Sequence, residues 1–137
     1  MLIGLMKELA QFEDYLDDFA VNEADLVQRG LCQSPQFDIQ VAHTADGTLF
    51  GMAVYYTVPY TYDLRPDMVL KELFVTREAR GAGVGEALMD AVCCEARKLG
   101  CKRLRWLVMR SNQRAKGFYS RLGATEDAKW DNWRLAL

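Results

Sequence analysis

Residues 77–89, REARGAGVGEALM, place glycines at 81, 83 and 85 and then run into an apolar-periodic stretch. Alternate positions without side chains let loop N–H groups approach a ligand closely. The first unpaired N–H groups of a following helix point at the same spot, where the macrodipole adds partial positive charge. The chemistry this suits is capture of a phosphate or pyrophosphate. A P-loop would need a second glycine five positions after Gly81, where Glu86 stands, followed by Lys-Ser/Thr, which is absent. A dinucleotide fingerprint would need a third glycine at Glu86 or Leu88, and an acid about twenty residues on, where the chain reads KRLR. Both are excluded by spacing.

The elements that must position this loop can be read from periodicity. MVLKELFVT at 68–76 reads as a strand that enters the loop. Val84, Leu88, Ala91, Val92, Ala96 and Leu99 keep helical spacing until Gly100. Upstream, Leu2, Leu5, Met6, Leu9, Phe12, Leu16 and Phe19 predict a helix over roughly 2–17. Asn22, Asp25 and a Val21/Leu26 staple predict a second over 23–32. FDIQVAHT and LFGMAVYYTV, joined through Asp46-Gly47, predict a hairpin with strands at 36–44 and 49–58. Downstream, RLRWLVM predicts a strand at 103–109, Asn112 caps a short helix, and two strands follow at 124–129 and 131–136. The order ααβββαβαββ is α/β with a mixed sheet, because a crossover helix implies a parallel strand pair around it.

Length and composition describe a single domain spanning 1–137, with half of its residues apolar and a net charge of −2. No apolar run is long enough to span a bilayer and no secretory leader is visible, so a cytoplasmic protein with no membrane partner is expected. Cysteines at 32, 93, 94 and 101, with one histidine, suggest neither a metal site nor a disulfide framework. Charge is uneven: residues 1–35 hold two bases and seven acids, residues 70–121 twelve bases and five acids. An anion is expected on the C-terminal half and a cation near the N-terminal half. A nucleic-acid partner is disfavoured by the acidic balance.

Arg80-Gly-Ala-Gly83-Val-Gly85 resembles the Arg/Gln-x-x-Gly-x-Gly/Ala signature of the GNAT superfamily of acetyl-CoA-dependent N-acetyltransferases. Asn112-Gln-Arg-Ala-Lys-Gly-Phe118-Tyr119-Ser-Arg-Leu-Gly123-Ala is similar to that family's second hallmark, one helix and one strand downstream. KELAQFEDY and LKELFVTREARG resemble the diamine and thialysine acetyltransferase branch. The resemblance implies a mixed, mostly antiparallel central sheet flanked by helices. Residue 1 already falls inside the first helix, so the family's first strand is expected to be missing. The strand at 36–44 would then be a sheet edge, and a homodimer is expected from that exposed edge. Two places depart from the branch: Lys71-Glu72 replaces Glu-Asp, and Arg110-Ser111-Asn112 replaces Asp-Trp-Asn, which puts a polyamine acceptor in doubt.

By the same resemblance, acetyl-CoA is the cosubstrate, no metal is needed, and the acceptor is a small-molecule amine attacked directly in a ternary complex. Backbone groups of Phe74 and Val75 pair with pantetheine. Arg80, Gly81, Ala82, Gly83, Val84, Gly85 and Glu86 hold the pyrophosphate. Asn112, Lys116, Phe118, Tyr119 and Arg121 complete the coenzyme contacts, with Arg114 beside them. Tyr119 stands where the family has the phenol that protonates the departing sulfur, and Glu72 is the candidate base. Glu8, Glu13, Asp14, Asp17 and Asp18 lie in the region forming one wall of the acceptor cleft, with Tyr55, Tyr56, Tyr60 and Tyr62 as candidate further walls. His43 is a weak candidate. The competing class is an acyl-CoA-binding module of the same fold without turnover.

Overall fold

The computed structural model describes residues 1–137, which divide into two units, Met1–Trp106 and Leu107–Leu137. In the first unit the chain enters at helix α1 (Leu2–Phe12) and continues through α2 (Glu23–Arg29), β1 (Asp38–His43), β2 (Leu49–Val58) and β3 (Asp67–Val75) to α3 (Val84–Lys98) and β4 (Leu104–Arg105). The four strands lie in the order β1-β2-β3-β4, the first three antiparallel and β4 parallel to β3 across the α3 crossover. β1 is a sheet edge, as expected.

Two layers cover this sheet. On the α1 side Leu5 and Leu9 pack on Met52 and Phe74, and all four are buried. α3 contributes Leu88, Met89, Val92 and Ala96 to the buried set. α3 approaches β2 closely at Gly51: a Cβ there would lie 3.1 Å from Leu88, 3.2 Å from Val84 and 3.3 Å from the Phe74 carbonyl. Glycine at 51 therefore sets how near the first turn of α3, and the glycine loop ahead of it, approaches the sheet.

Three boundaries differ from the periodicity. The first helix stops at Phe12 rather than 17, because Asp14 turns left-handed (φ +58) and the Tyr15 N–H bonds back to the Ala10 carbonyl. Glu13, Asp14, Asp17 and Asp18 would crowd negative charge onto the negative end of a longer helix; residues 16–18 form a 3₁₀ turn instead. The second helix ends at Arg29, while its Asn22/Asp25 capping box forms as expected. The strand expected over 103–109 is only Leu104–Arg105, matched to Met68 and Val69.

At that end of the sheet Asp67 is buried and accepts two hydrogen bonds from Arg103 Nε, at 3.0 and 2.9 Å, with Arg105 Nε at 3.5 Å. Arg103 stacks on Tyr60, and Lys102 stacks on Tyr62 while pairing with Asp63 at 3.0 Å. These contacts fasten the β2–β3 loop to the start of β4.

The second unit contains helix α4 (Gln113–Arg121), capped by Asn112 Oδ1 accepting from the Ala115 N–H. The two strands expected at 124–129 and 131–136 are not formed: the chain beyond α4 has no regular structure, and Trp130, Trp133 and Leu135 are exposed. An isolated hairpin is marginal without a third strand or a covering helix. Asp127 accepts instead from the Lys129 N–H, a local turn that competes with pairing. No helix is long and apolar enough to cross a membrane.

Replacing Gly51 by valine should force Val84 and Leu88 away from β2 and cost about 1–3 kcal/mol, the usual penalty for overpacking. Urea unfolding followed by tryptophan fluorescence measures it; an unchanged midpoint would show that α3 is not seated against β2 at this glycine.

Candidate functional site

β3 carries the central feature. Val54 pairs with Glu72 and the next residue, Tyr55, with Leu70, so Lys71 is an extra residue bulged out of the ladder. A bulge bends its strand and adds local twist. β4 stops at the same level: its only partners on β3 are Met68 and Val69. From Lys71 to Val75, therefore, the second edge of β3 has no neighbouring strand and can pair with an extended ligand.

This open edge leads directly into the glycine loop. A 3₁₀ turn at Arg77–Ala79 follows, Arg80 is extended, and Gly81 and Gly83 are both left-handed, at φ +84 and +80. L-residues with a Cβ pay for that conformation, which explains glycine at these two positions. A Cβ at either would meet nothing within 4 Å, so the space before them is open. Gly83 is the N-cap of α3 and no side chain caps it, leaving the first-turn N–H groups of Val84, Gly85 and Glu86 for a ligand. Ala82, between the two left-handed glycines, is exposed.

Arg80 is braced from three sides. Its Nε donates to the Val75 carbonyl at 2.9 Å, and its guanidinium carbon lies 5.2 Å from the Phe12 ring centre and 5.8 Å from that of Phe74. The Nε bond leaves the two terminal nitrogens as donors for an anion.

On the α1 side, Glu72 is mostly enclosed, its side chain 20% exposed, with the Lys71 ammonium 3.5 Å away. Burial raises its carboxyl above the ordinary carboxylate range; Lys71 opposes the shift and Glu13 adds to it. The Tyr15 phenol is pushed up to about 12 by burial, then by the Glu72 and Glu13 carboxylates. Tyr15, Glu13 and Glu72 thus share one electrostatic neighbourhood. Of the acids on the expected acceptor wall, Glu13 is the one that reaches Glu72 in this way; Glu8, Asp14, Asp17 and Asp18 are exposed. Sequence periodicity gave no reason to single out Tyr15 or Phe12, since both read as part of one continuing helix.

Other expected residues are placed elsewhere. Tyr60 and Tyr62 are engaged by Arg103 and Lys102 beside Asp67, at the opposite end of β3 from the loop, roughly 26 Å away at the usual rise per residue. Tyr55 is buried, its hydroxyl accepting from Gln40 at 3.3 Å. His43 lies exposed on the edge strand, its Nδ1 2.9 Å from the Thr44 carbonyl oxygen.

In the second unit α4 carries the remaining candidates. Asn112 caps it, Lys116 and Tyr119 are half-buried one and two turns on, and Arg114 and Arg121 are exposed. The Phe118 and Tyr119 rings meet edge-on at 5.2 Å and 63°, and the Tyr119 carbonyl accepts from the Leu122 and Ala124 N–H groups.

Residues 6–124 match the profile of the Acetyltransferase (GNAT) family. The chain is 30% identical over 139 residues to a Bos taurus thialysine N-epsilon-acetyltransferase, covering 96% of this chain and 81% of that protein. An Arabidopsis thaliana L-ornithine N5-acetyltransferase is 28% identical over 90 residues, 66% of this chain and 40% of that protein. Among solved structures, an integron cassette protein from the mobile metagenome of V. cholerae superimposes with a TM-score of 0.82 at 28% identity, covering 98% of this chain and 84% of the other. An aminoglycoside acetyltransferase from an uncultured soil metagenomic sample, in complex with sisomicin, gives 0.82 at 17% identity, covering 99% and 88%, a likeness of fold alone.

Proposed function

Because the chain belongs to the acetyltransferase (GNAT) family, within its diamine/thialysine branch, we propose that it moves an acetyl group from acetyl-CoA to a primary amine of a small molecule, by direct attack in a ternary complex. The observation that carries this reading is the unpaired edge of β3 at Lys71–Val75 running into two left-handed glycines and an uncapped helix. An extended amide-bearing arm ending in a pyrophosphate is the ligand shape this succession suits. The open space before Gly81 and Gly83 accommodates the phosphates.

Acetyl-CoA supplies an activated thioester. Phe74 and Val75 pair their backbone groups with the pantetheine arm, and an N–H at this edge polarises the thioester carbonyl. Arg80 and the N–H groups from Gly81 to Glu86 hold the pyrophosphate. Asn112, Lys116, Phe118 and Arg121 complete the coenzyme contacts from α4. Glu72 takes the proton of the cationic amine, directly or through water, so that the neutral nitrogen can bond to the carbonyl carbon, and the proton shed on bonding leaves through water. Tyr119 gives its phenolic proton to the sulfur as the carbon–sulfur bond breaks. Holding both substrates together makes a covalent enzyme intermediate unnecessary.

The acceptor we assign is a monoamine, an amino acid or an N-terminal amine. Lys71 places a positive charge 3.5 Å from Glu72, which weakens the local field for a dication. The names of two relatives, which act on thialysine and L-ornithine, agree with an amino acid.

A thiol-release screen with acetyl-CoA against amino acids, polyamines, aminoglycosides and N-terminal peptides tests the assignment; spermidine outrunning every monoamine would overturn it. Tyr119→Phe should lower kcat about 10²–10⁴-fold, the span for one general acid, with little change in coenzyme affinity. Turnover equal to the parent would assign the proton to another donor. Glu72→Gln should depress kcat most below the amine's own pKa, where a proton must still be removed, and the deficit should narrow as the pH rises through and above about 10.4, the pKa of a lysine-like amine. A deficit constant across a pH series would show that Glu72 does not accept the proton.

A further inference from the structure

Phe12 is the last residue of α1 and is 56% exposed. Its neighbours in the helix, Leu5 and Leu9, belong to the core cluster with Met52 and Phe74. The Phe12 ring, in contrast, lies against the Arg80 guanidinium, whose carbon is 5.2 Å from the ring centre. Phe74 lies 5.8 Å from the same carbon, and the Val75 carbonyl fixes Nε at 2.9 Å. Two aromatic faces and one carbonyl, supplied by the end of α1 and the end of β3, thereby restrain a long side chain at the entrance to the glycine loop.

An arginine side chain has many rotamers, and an anion that must order them loses affinity in doing so. An attractive ring face holds the cation without using its N–H donors, so the guanidinium can be fixed and still bind. Phe74 does this from the core. Phe12 has little packing of its own to satisfy and comes from a separate element. We propose that Phe12 is a positioning residue for the coenzyme: together with Phe74 it holds Arg80 in the pose that receives the pyrophosphate. The inference rests on the reading of the glycine loop as the pyrophosphate site.

The test compares two thioesters, acetyl-CoA and S-acetylpantetheine, which keeps the reacting group and the arm but lacks the pyrophosphate. In Phe12→Leu the KM for acetyl-CoA should rise about 3–10-fold, the loss expected for one partly exposed cation–π contact. The kcat should be unchanged, and so should kcat/KM for S-acetylpantetheine. Phe12→Tyr should restore the parent value, and in an Arg80→Ala background Phe12→Leu should add nothing. Equal losses on both thioesters would make Phe12 merely structural, and an unchanged KM for acetyl-CoA would overturn the proposal alone. A parent enzyme with no preference for acetyl-CoA over S-acetylpantetheine would overturn the pyrophosphate reading, and the proposal with it.

Discussion

A single extra residue, Lys71, divides β3 into two halves with different tasks. Before it, Met68 and Val69 pair on both sides, with β2 and with β4, and the buried Asp67 joins that end to Arg103 and Arg105. After it, the strand keeps β2 and loses β4. An uninterrupted parallel ladder would use the N–H and C=O groups that Lys71–Val75 direct to the second edge, leaving none for a ligand. The ladder with β4 ends at the bulge, while the first half of the strand remains anchored. In the proposed function that division lets the same nine-residue strand be both a core element and a ligand platform.

The charges around the bulge follow from it. Lys71 and Glu72 are adjacent residues that alternation would send to opposite faces, yet the bulge lets their charged groups approach to 3.5 Å. Glu72 then sits with the end of α1, where the Glu13 carboxylate adds to its cost of carrying negative charge and both carboxylates add to that of Tyr15. A carboxyl lifted in this way is a better proton acceptor than a solvated one, and a phenol near 12 stays protonated throughout the neutral range. The termination of α1 is part of the same arrangement, since the left-handed Asp14 redirects the chain immediately after Phe12 and Glu13.

Much of this was legible in the residues. The glycine loop, the strand before it, the long helix after it, the Asn22 capping box and the Asn112 cap all rest on local signals that tertiary structure did not override. What failed depended on partners. The strand at 103–109 had the right alternation, but its neighbour turns away after two residues. The final two strands, expected at 124–129 and 131–136, have no ladder to join within their own unit. Tyr60 and Tyr62 were plausible cation-binding walls by residue type, and they do bind cations, but the protein's own Arg103 and Lys102. Arg80 was legible as a candidate anion ligand; its aromatic brace was not, because Phe12 lies far from it in sequence.

The central claim is that the open edge of β3 and the glycine loop together receive the coenzyme. Amide hydrogen exchange with and without saturating coenzyme A tests it segment by segment. Slowed exchange is expected at residues 71–75 and 81–87, with β1 and β2 unchanged. Tight binding that leaves both segments unprotected, or that protects the β1 edge instead, would contradict it.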